Sequence, residues 1–206
     1  RDELIKHVFP KLRRLCEARG ITWTSVDLRW GITDEEKAEN QVLSQCFGQI
    51  EHCRPYFVGI LGRRYGWVPD DTSELSGLCE TCAHEAAGRS VTELEILHGA
   101  INHRELNRRA YLYFRQSPDK AADTKGSAGT EEQAEEDPRL TGLKKRIRQS
   151  SVSLQDGYSS ARQLGDWIFA DLSAAIDADF PVTECLDDVG RDNFAHGVFA
   201  AGQAHF

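Results

Sequence analysis

The chain has 206 residues, of which 40% are hydrophobic and 28% are charged, and its formal net charge is -8. This length suits one domain, or at most two small ones, and no apolar run is long enough to span a membrane. The acidic balance argues against nonspecific binding to nucleic acid, which needs a basic face to displace phosphate counterions.

The amino-terminal part of the chain predicts a helix, a strand and a second helix. The segment RDELIKHVFPKLRRLCEARG has apolar residues at helical spacing and predicts an amphipathic helix interrupted by Pro10. The alternating, β-branched run ITWTSVDL predicts a strand that delivers Asp27 and Arg29 to its carboxyl end. The polar run TDEEKAENQ then opens a helix that extends through Gln49.

The middle of the chain predicts two more strands with a helix between them. YFVGILG is a nearly continuous apolar run, typical of a central strand that is covered on both faces in a parallel sheet. The segment 63–88 has turn formers and little periodicity, which predicts a long loop. GRSVTELEILHGAI predicts a helix and RAYLYFR a strand.

The carboxyl-terminal part begins with QSPDKAADTKGSAGTEEQAEEDP, whose polar and acidic composition predicts a mobile surface excursion. A helix at RLTGLKKRIRQ, a strand at SVSLQD and a helix at ARQLGDWIFADLSAAIDADF follow. Strands that alternate with helices predict an α/β fold, an open parallel sheet with helices on both faces. We expect one domain over 1–181 and a linker helix over 182–206 that leads toward a further module.

Ligands of open parallel sheets bind beyond the carboxyl ends of the strands, and this rule selects the candidate binding residues. They are Asp27, Arg29 and Trp30, then Gly62, Arg63, Arg64, Tyr65 and Trp67, then Ser90 to Glu95, and Arg115. In GRRYG the glycines suit a tight turn, while the two arginines suit an anionic ligand or the acidic surface of a partner. No Walker A sequence, nucleophile elbow or dinucleotide fingerprint occurs.

Two acids in SVTELEIL are candidates for either a cap or a catalytic carboxylate. Ser90-x-x-Glu93 and Thr92-x-x-Glu95 both have the spacing of a capping box. The two glutamates are two residues apart, roughly 200° around a helix, so they do not share one small site. With Ser90 as N-cap, Glu93 takes the capping role and Glu95 is the spare carboxylate, for which a surface salt bridge is the alternative.

The chain has six cysteines and no signal-peptide pattern, which fits free thiols in the cytoplasm. Cys79-x-x-Cys82 with His84 nearby is the only spacing that suggests a metal. A structural zinc site normally has a second pair of ligands at suitable spacing, so we predict no metal site. The basic run KKRIRQ predicts the solvated face of a helix.

Three stretches, SVDLRWGITDEE, CRPYFVGILGRRYGWVP and GRSVTELEILHGAI, together resemble the TIR-like domain at the amino end of STAND-class signalling NTPases. There the domain precedes a NACHT-type ATPase and TPR or WD repeats, as in relatives of the telomerase-associated vault protein and nephrocystin. The resemblance implies a flavodoxin-like, TIR-type sheet. Its usual first strand lies ahead of the first helix, and we expect that strand to be absent from this chain.

Three hypotheses about function stay open at this point, and the first two follow from the resemblance. The first is a signalling module that self-associates or recruits protein partners through the larger NTPase, without nucleic acid or membrane. The second is an effector that cleaves NAD as its substrate, with Glu95 supporting nicotinamide loss, Glu93 in reserve, and Asp27, Arg29 and Tyr65 in the pocket. The third is a nucleotide sensor without turnover. None of the three needs a bound cofactor.

Overall fold

The structure is a computed structural model that describes residues 1–28, 42–69, 88–102, 105–106, 108–116 and 137–182. The chain forms two compact units. One, the terminal unit, is Arg1–Ser25 with Ser160–Phe206, and the other, the sheet unit, is Val26–Ser159. In chain order the described helices and strands are the π-helical turn Leu4–Val8, α1 (Phe9–Glu17), α2 (Val42–His52), β1 (Tyr56–Leu61), α3 (Val91–Ile96), the π-helical turn Leu97–Ile101, β2 (Arg109–Arg115), α4 (Pro138–Gln149), β3 (Ser153–Tyr158) and α5 (Ala161–Asp179).

The terminal unit packs the first helix against the last one. Gly165 on α5 lets the chain approach closely, because a Cβ there would lie 3.1 Å from the side chains of Glu3 and Val8. Arg19 fastens the end of α5, since its Nε donates to the carbonyl of Phe180 at 3.0 Å. The predicted amphipathic helix is confirmed, but Pro10 does not interrupt it, because the π-helical turn Leu4–Val8 runs directly into α1, which carries Pro10 in its first turn.

The predicted strand over ITWTSVDL is wrong. Residues 21–28 are not part of a strand and pair with none of the described strands. A strand needs the N–H and C=O groups of a neighbour, and alternation of side chains does not supply them. Trp23 packs instead against Phe9, with ring centroids 6.0 Å apart. Asp27 consequently lies on an irregular segment and not at the end of a strand.

The sheet unit contains a three-stranded parallel sheet in the order β1-β2-β3. Gly59 of β1 pairs with Leu112 of β2, which pairs in turn with Leu154 of β3. The prediction that the YFVGILG strand is central is wrong for the described sheet, whose middle strand is β2. The burial agrees with this order, because Leu112, Tyr113 and Phe114 are all 0% exposed whereas most of β1 is only half-buried.

One face of the sheet carries the main core of this unit. Strand residues such as Leu61, Leu112 and Phe114 pack there against Ile96 of α3 and Ile147 of α4. A second apolar cluster joins helices α2 and α3. Its buried members are Leu43, Cys46, Phe47, Ile50, Val91 and Leu94.

Polar side chains fix where three helices start. The hydroxyl of Ser90 accepts a hydrogen bond from the Glu93 amide at 3.2 Å and begins α3. Ser160 begins α5 in the same way, with its hydroxyl 3.2 Å from the Gln163 amide nitrogen. Asp137 caps α4 through the Arg139 amide. Such caps satisfy amides that have no partner inside the helix.

The predicted α/β open parallel sheet with helices around it is confirmed. The predicted strand SVSLQD lies two residues further along, at Ser153–Tyr158. Much of the predicted long loop, the acidic excursion and the linker helix lie outside the described residues, so the domain boundary at 181 stays a prediction. In the part of the chain that the structure describes, no helix has the length and apolar character needed to cross a bilayer.

Candidate functional site

The three parallel strands all end at one edge of the sheet, and a cleft of about 800 Å³ lies there. Its polar lining comes from the last residues of β2 and β3, from the segment that follows β1 and from the start of α3. Its apolar lining comes from the end of β1 and from α4. The lining residues are Ile60, Leu61, Gly62, Arg63, Arg64, Tyr65, Thr92, Arg115, Leu140, Leu143 and Tyr158.

A bulge brings a tyrosine to this edge. The register between β2 and β3 shifts after Phe114, so that Arg115 faces Tyr158 and skips Gly157. Gly157 has φ +95°, a conformation that favours glycine. The bulge therefore places Arg115 and Tyr158 opposite each other at the carboxyl ends of their strands.

Residues 62–69, which we call the strand-end loop, connect β1 to the region of α3. The carbonyl of Trp67 accepts a hydrogen bond from the Val91 amide at 2.9 Å, which ties the loop to the first turn of α3. Gly66 has φ +100°, and a Cβ there would lie 3.1 Å from the Thr92 hydroxyl. This close approach is the physical reason for the second glycine of GRRYG.

Tyr65 connects the strand-end loop to the capping residues of α3. Its hydroxyl donates a hydrogen bond to the carboxylate of Glu93 and accepts one from the Ser90 amide at 3.3 Å. In a simple capping box the glutamate would accept from the Ser90 amide directly. Here the tyrosine hydroxyl stands between the two, so the cap of α3 is closed by a residue from the loop.

Two guanidinium groups complete the surroundings of Glu93. Arg89 and Arg146 each pair with its carboxylate at 3.5 Å, and the Glu93 side chain is only 8% exposed. Arg139 of α4 lies over the Tyr65 ring, 4.5 Å from its centroid. Burial, followed by the hydrogen bond to Glu93, raises the pKa of Tyr65, so this hydroxyl stays protonated and able to donate.

Glu95 points elsewhere, toward helix α2. Its carboxylate lies by the thiol of Cys46, and the pKa of Cys46 rises to about 12, first through burial and then through the charge of Glu95 and their hydrogen bond. His98, three residues after Glu95, pairs its Nε2 with Glu51 at 2.6 Å and stacks on Phe47. Glu95 is absent from the lining of the cleft.

The structure thus brings some of the predicted site residues together and separates others. Arg63 and Tyr65 line the cleft, and Tyr65 joins Ser90 and Glu93 in one hydrogen-bonded group. Asp27 does not line the cleft, and Arg29 and Trp30 lie outside the described residues. Whether Glu95 or Glu93 takes part in catalysis stays a prediction.

Four charged or aromatic contributors were not among the predicted site residues: Tyr158, Arg89, Arg139 and Arg146. Tyr158 follows a glycine at the end of β3, and an aromatic residue after a strand-end glycine is the pattern that could have indicated it. Arg139 and Arg146 lie on α4, whose basic run predicted only a solvated face. They are seven residues apart, two helical turns, so they project from the same side as Leu143.

The described part of the chain contains no candidate metal site, because no three His, Cys, Asp or Glu side chains are grouped suitably there. Cys79, Cys82 and His84 lie outside the described residues. The described cysteines Cys16, Cys46 and Cys53 are free thiols, as predicted.

Several known proteins are similar to this chain. A TPR repeat-containing protein of Dictyostelium discoideum is 29% identical over 215 residues, which cover 97% of this chain and 13% of that protein. Telomerase protein component 1 of Mus musculus is 38% identical over 119 residues, 56% of this chain and 4% of that protein. NACHT domain- and WD repeat-containing protein 1 of Mus musculus is 31% identical over 74 residues, 34% of this chain and 5% of that protein.

The chain therefore spans less than a fifth of the length of each of these relatives. No solved structure matches it. A protein family described as "Domain of unknown function (DUF4062)" matches residues 7–173, most of the chain. The chain belongs to the DUF4062 family.

Proposed function

We propose that this chain is the TIR-like signalling module of a larger STAND-type NTPase and acts through protein–protein contacts, by self-association or by recruiting a partner. The names of the relatives support this, since they include TPR repeats, WD repeats and a NACHT domain. TPR arrays stack their repeats into extended binding surfaces. A cytoplasmic location is part of the proposal and fits the free thiols.

The observation that carries the proposal is that the strand-end loop combines a buried tyrosine with exposed basic and aromatic side chains. Tyr65 is buried and holds the loop to α3, whereas Arg63 and Arg64 are exposed and Trp67 is 47% exposed. Tryptophan and arginine are enriched among the residues that dominate interface energies. A loop that is held in place before binding loses less conformational entropy when it meets a partner.

Catalysis receives less support from the geometry. Among the described residues, no aspartate or glutamate lines the cleft. The carboxylate of Glu93 is occupied by Tyr65 and two arginines, and that of Glu95 faces the Cys46 thiol. NAD cleavage by Glu95 therefore stays a prediction, and an adaptor role accounts for the contacts of both acids.

The test is association between two copies of the chain that carry different tags, followed by co-precipitation and by light scattering after size-exclusion chromatography. The proposal predicts that R63E/R64E and Trp67→Ala abolish association while Glu95→Ala preserves it. R13E/R14E is the matched control, because it reverses two adjacent exposed arginines on α1. Equal loss in the control pair, or full association of R63E/R64E, would contradict the proposal.

A further inference from the structure

The cleft at the carboxyl edge of the sheet is lined by positive charges, whereas the chain as a whole is acidic. Arg63 and Arg64 line it from the strand-end loop, and Arg115 lines it from the end of β2. The chain as a whole has a net charge of -8. Three guanidinium groups around one cleft of an acidic chain form a local positive site that attracts anions.

These arginines also differ in their pairing from five other arginines of the sheet unit. Arg54, Arg89, Arg139, Arg146 and Arg148 each pair with a carboxylate. For the three cleft arginines, no carboxylate among the described residues is within ion-pair distance, and the cleft lining contains no acid. Their donors therefore face the cleft without a negative partner from the described part of the chain.

The other anion-binding device of such sheets, a helix N-terminus, is already used here. The first amides of α3 donate to the Trp67 carbonyl and to the Ser90 hydroxyl. An anion in the cleft would consequently be held by side chains. The available donors are the three guanidinium groups with the hydroxyls of Thr92 and Tyr158.

The size and lining of the cleft define the ligand. About 800 Å³ falls within the range of roughly 300 to 1,000 Å³ for small-molecule sites. Guanidinium groups bind phosphate through paired N–H donors, and several of them together favour several phosphates. Leu61, Leu140 and Leu143 add an apolar wall. We propose that this cleft binds a small molecule that carries two or more linked phosphates.

The proposal goes beyond the protein-contact function and does not depend on it. Burial raises the pKa of Tyr158, so its hydroxyl stays protonated at neutral pH and can donate to a phosphate oxygen. Arg115 and Tyr158 lie at the strand ends, whereas Trp67 of the strand-end loop is absent from the cleft lining. Variants at these positions therefore separate ligand binding from association.

The experiment is isothermal titration calorimetry of the full chain with inorganic tripolyphosphate, pyrophosphate and orthophosphate. We expect saturable binding that is tightest for tripolyphosphate and that weakens as the salt concentration rises. Arg115→Ala should weaken it by at least about ten-fold, and Arg115→Lys by less, because lysine keeps the charge but loses the fork. Arg162→Ala, at an exposed arginine of α5, is the control and should bind like the wild type.

A nucleoside triphosphate and a free oligophosphate share this chemistry, so ATP is titrated in parallel. Tighter binding of ATP than of tripolyphosphate identifies a nucleotide as the ligand, and the reverse identifies a free oligophosphate. The proposal is overturned if no oligophosphate binds saturably, or if Arg162→Ala weakens binding as much as Arg115→Ala. Trp67→Ala should leave binding unchanged whether or not it abolishes association, so failure of one proposal is distinguishable from failure of the other.

Discussion

The two glutamates on opposite sides of helix α3, Glu93 and Glu95, have different contacts. On one side Glu93 is buried against Tyr65, Arg89 and Arg146, and it connects α3, α4 and the strand-end loop. On the other side Glu95 is half-buried and meets one thiol, that of Cys46 on α2. Two acids in one motif, two residues apart, therefore have unlike roles: the first holds three segments together, and the second lies beside the Cys46 thiol of α2.

The difference shows that a capping motif in a sequence reports only the contacts within the first turn of its own helix. Ser90 and Glu93 have the spacing of a capping box, yet the group that closes the box is Tyr65, 28 residues away from Glu93 in sequence. Because the tyrosine belongs to the strand-end loop, the cap of a helix and the position of a surface loop depend on the same hydrogen bonds. The following variants test this dependence.

Removal of the Glu93 carboxylate should have the largest effect on stability. Glu93→Ala leaves two guanidinium groups and a tyrosine hydroxyl in a largely buried site without their acceptor, and we expect a loss of about 3 kcal/mol in the free energy of unfolding. Glu95→Ala is the matched control on the same helix and should cost less than about 1 kcal/mol. Urea denaturation measures both. Equal losses would remove the distinction between the two sides.

Tyr65→Phe should have the next largest effect. It removes one hydroxyl and leaves the Glu93 carboxylate and the Ser90 amide each short of a partner, which we expect to cost about 2 kcal/mol. Tyr158→Phe removes the hydroxyl of a second tyrosine, which lines the cleft and has no hydrogen bond to the described residues, and should cost less than about 0.5 kcal/mol. Thermal unfolding of the two variants makes the comparison. A larger loss in Tyr158→Phe would contradict the importance given to the Tyr65 hydroxyl.

On the Glu95 side, alkaline pH should reduce stability through Cys46. The pKa of its thiol is raised from 9.0 to about 12 in the folded chain, so below pH 9 both states are protonated and the contribution is fully present. As the pH rises from 9 toward 12 the unfolded thiol ionises while the folded thiol does not, so stability falls. Cys46→Ala should flatten this dependence in urea titrations between pH 8 and 11.

Glu95→Gln should have the smallest effect and sharpens the same comparison. Removing the carboxylate charge lowers the pKa of Cys46 toward the value that burial alone produces, so alkylation of Cys46 at pH 9 becomes faster. Cys53, whose thiol pKa is raised by burial alone, is the internal control and should react as in the wild type. Mass spectrometry of the alkylated peptides measures both rates. An unchanged Cys46 rate would mean that the Glu95 charge does not reach the thiol.

The α/β class and most helices could be predicted from local patterns, because apolar periodicity reports which side of a segment is buried. The two wrong strand predictions concern which segments pair as strands in the sheet. Residues 21–28 alternate like a strand but have no partner strand among those described, and YFVGILG is as apolar as a middle strand but lies beside β2. The cleft could be predicted only in part. Its strand-end arginines follow from the fold class, because ligands of open parallel sheets bind beyond the strand ends. Tyr158 depends on a bulge, and Arg139 and Arg146 depend on how α4 packs.

We propose that buried contacts at Tyr65 hold the strand-end loop in the shape that partners bind. The most direct measurement is sedimentation equilibrium of the wild type, Tyr65→Phe and Glu95→Gln, under conditions in which all three are folded. We expect Tyr65→Phe to weaken self-association by at least about ten-fold, although its hydroxyl is buried, and Glu95→Gln to leave the association constant unchanged. Equal association of Tyr65→Phe and the wild type would contradict the claim.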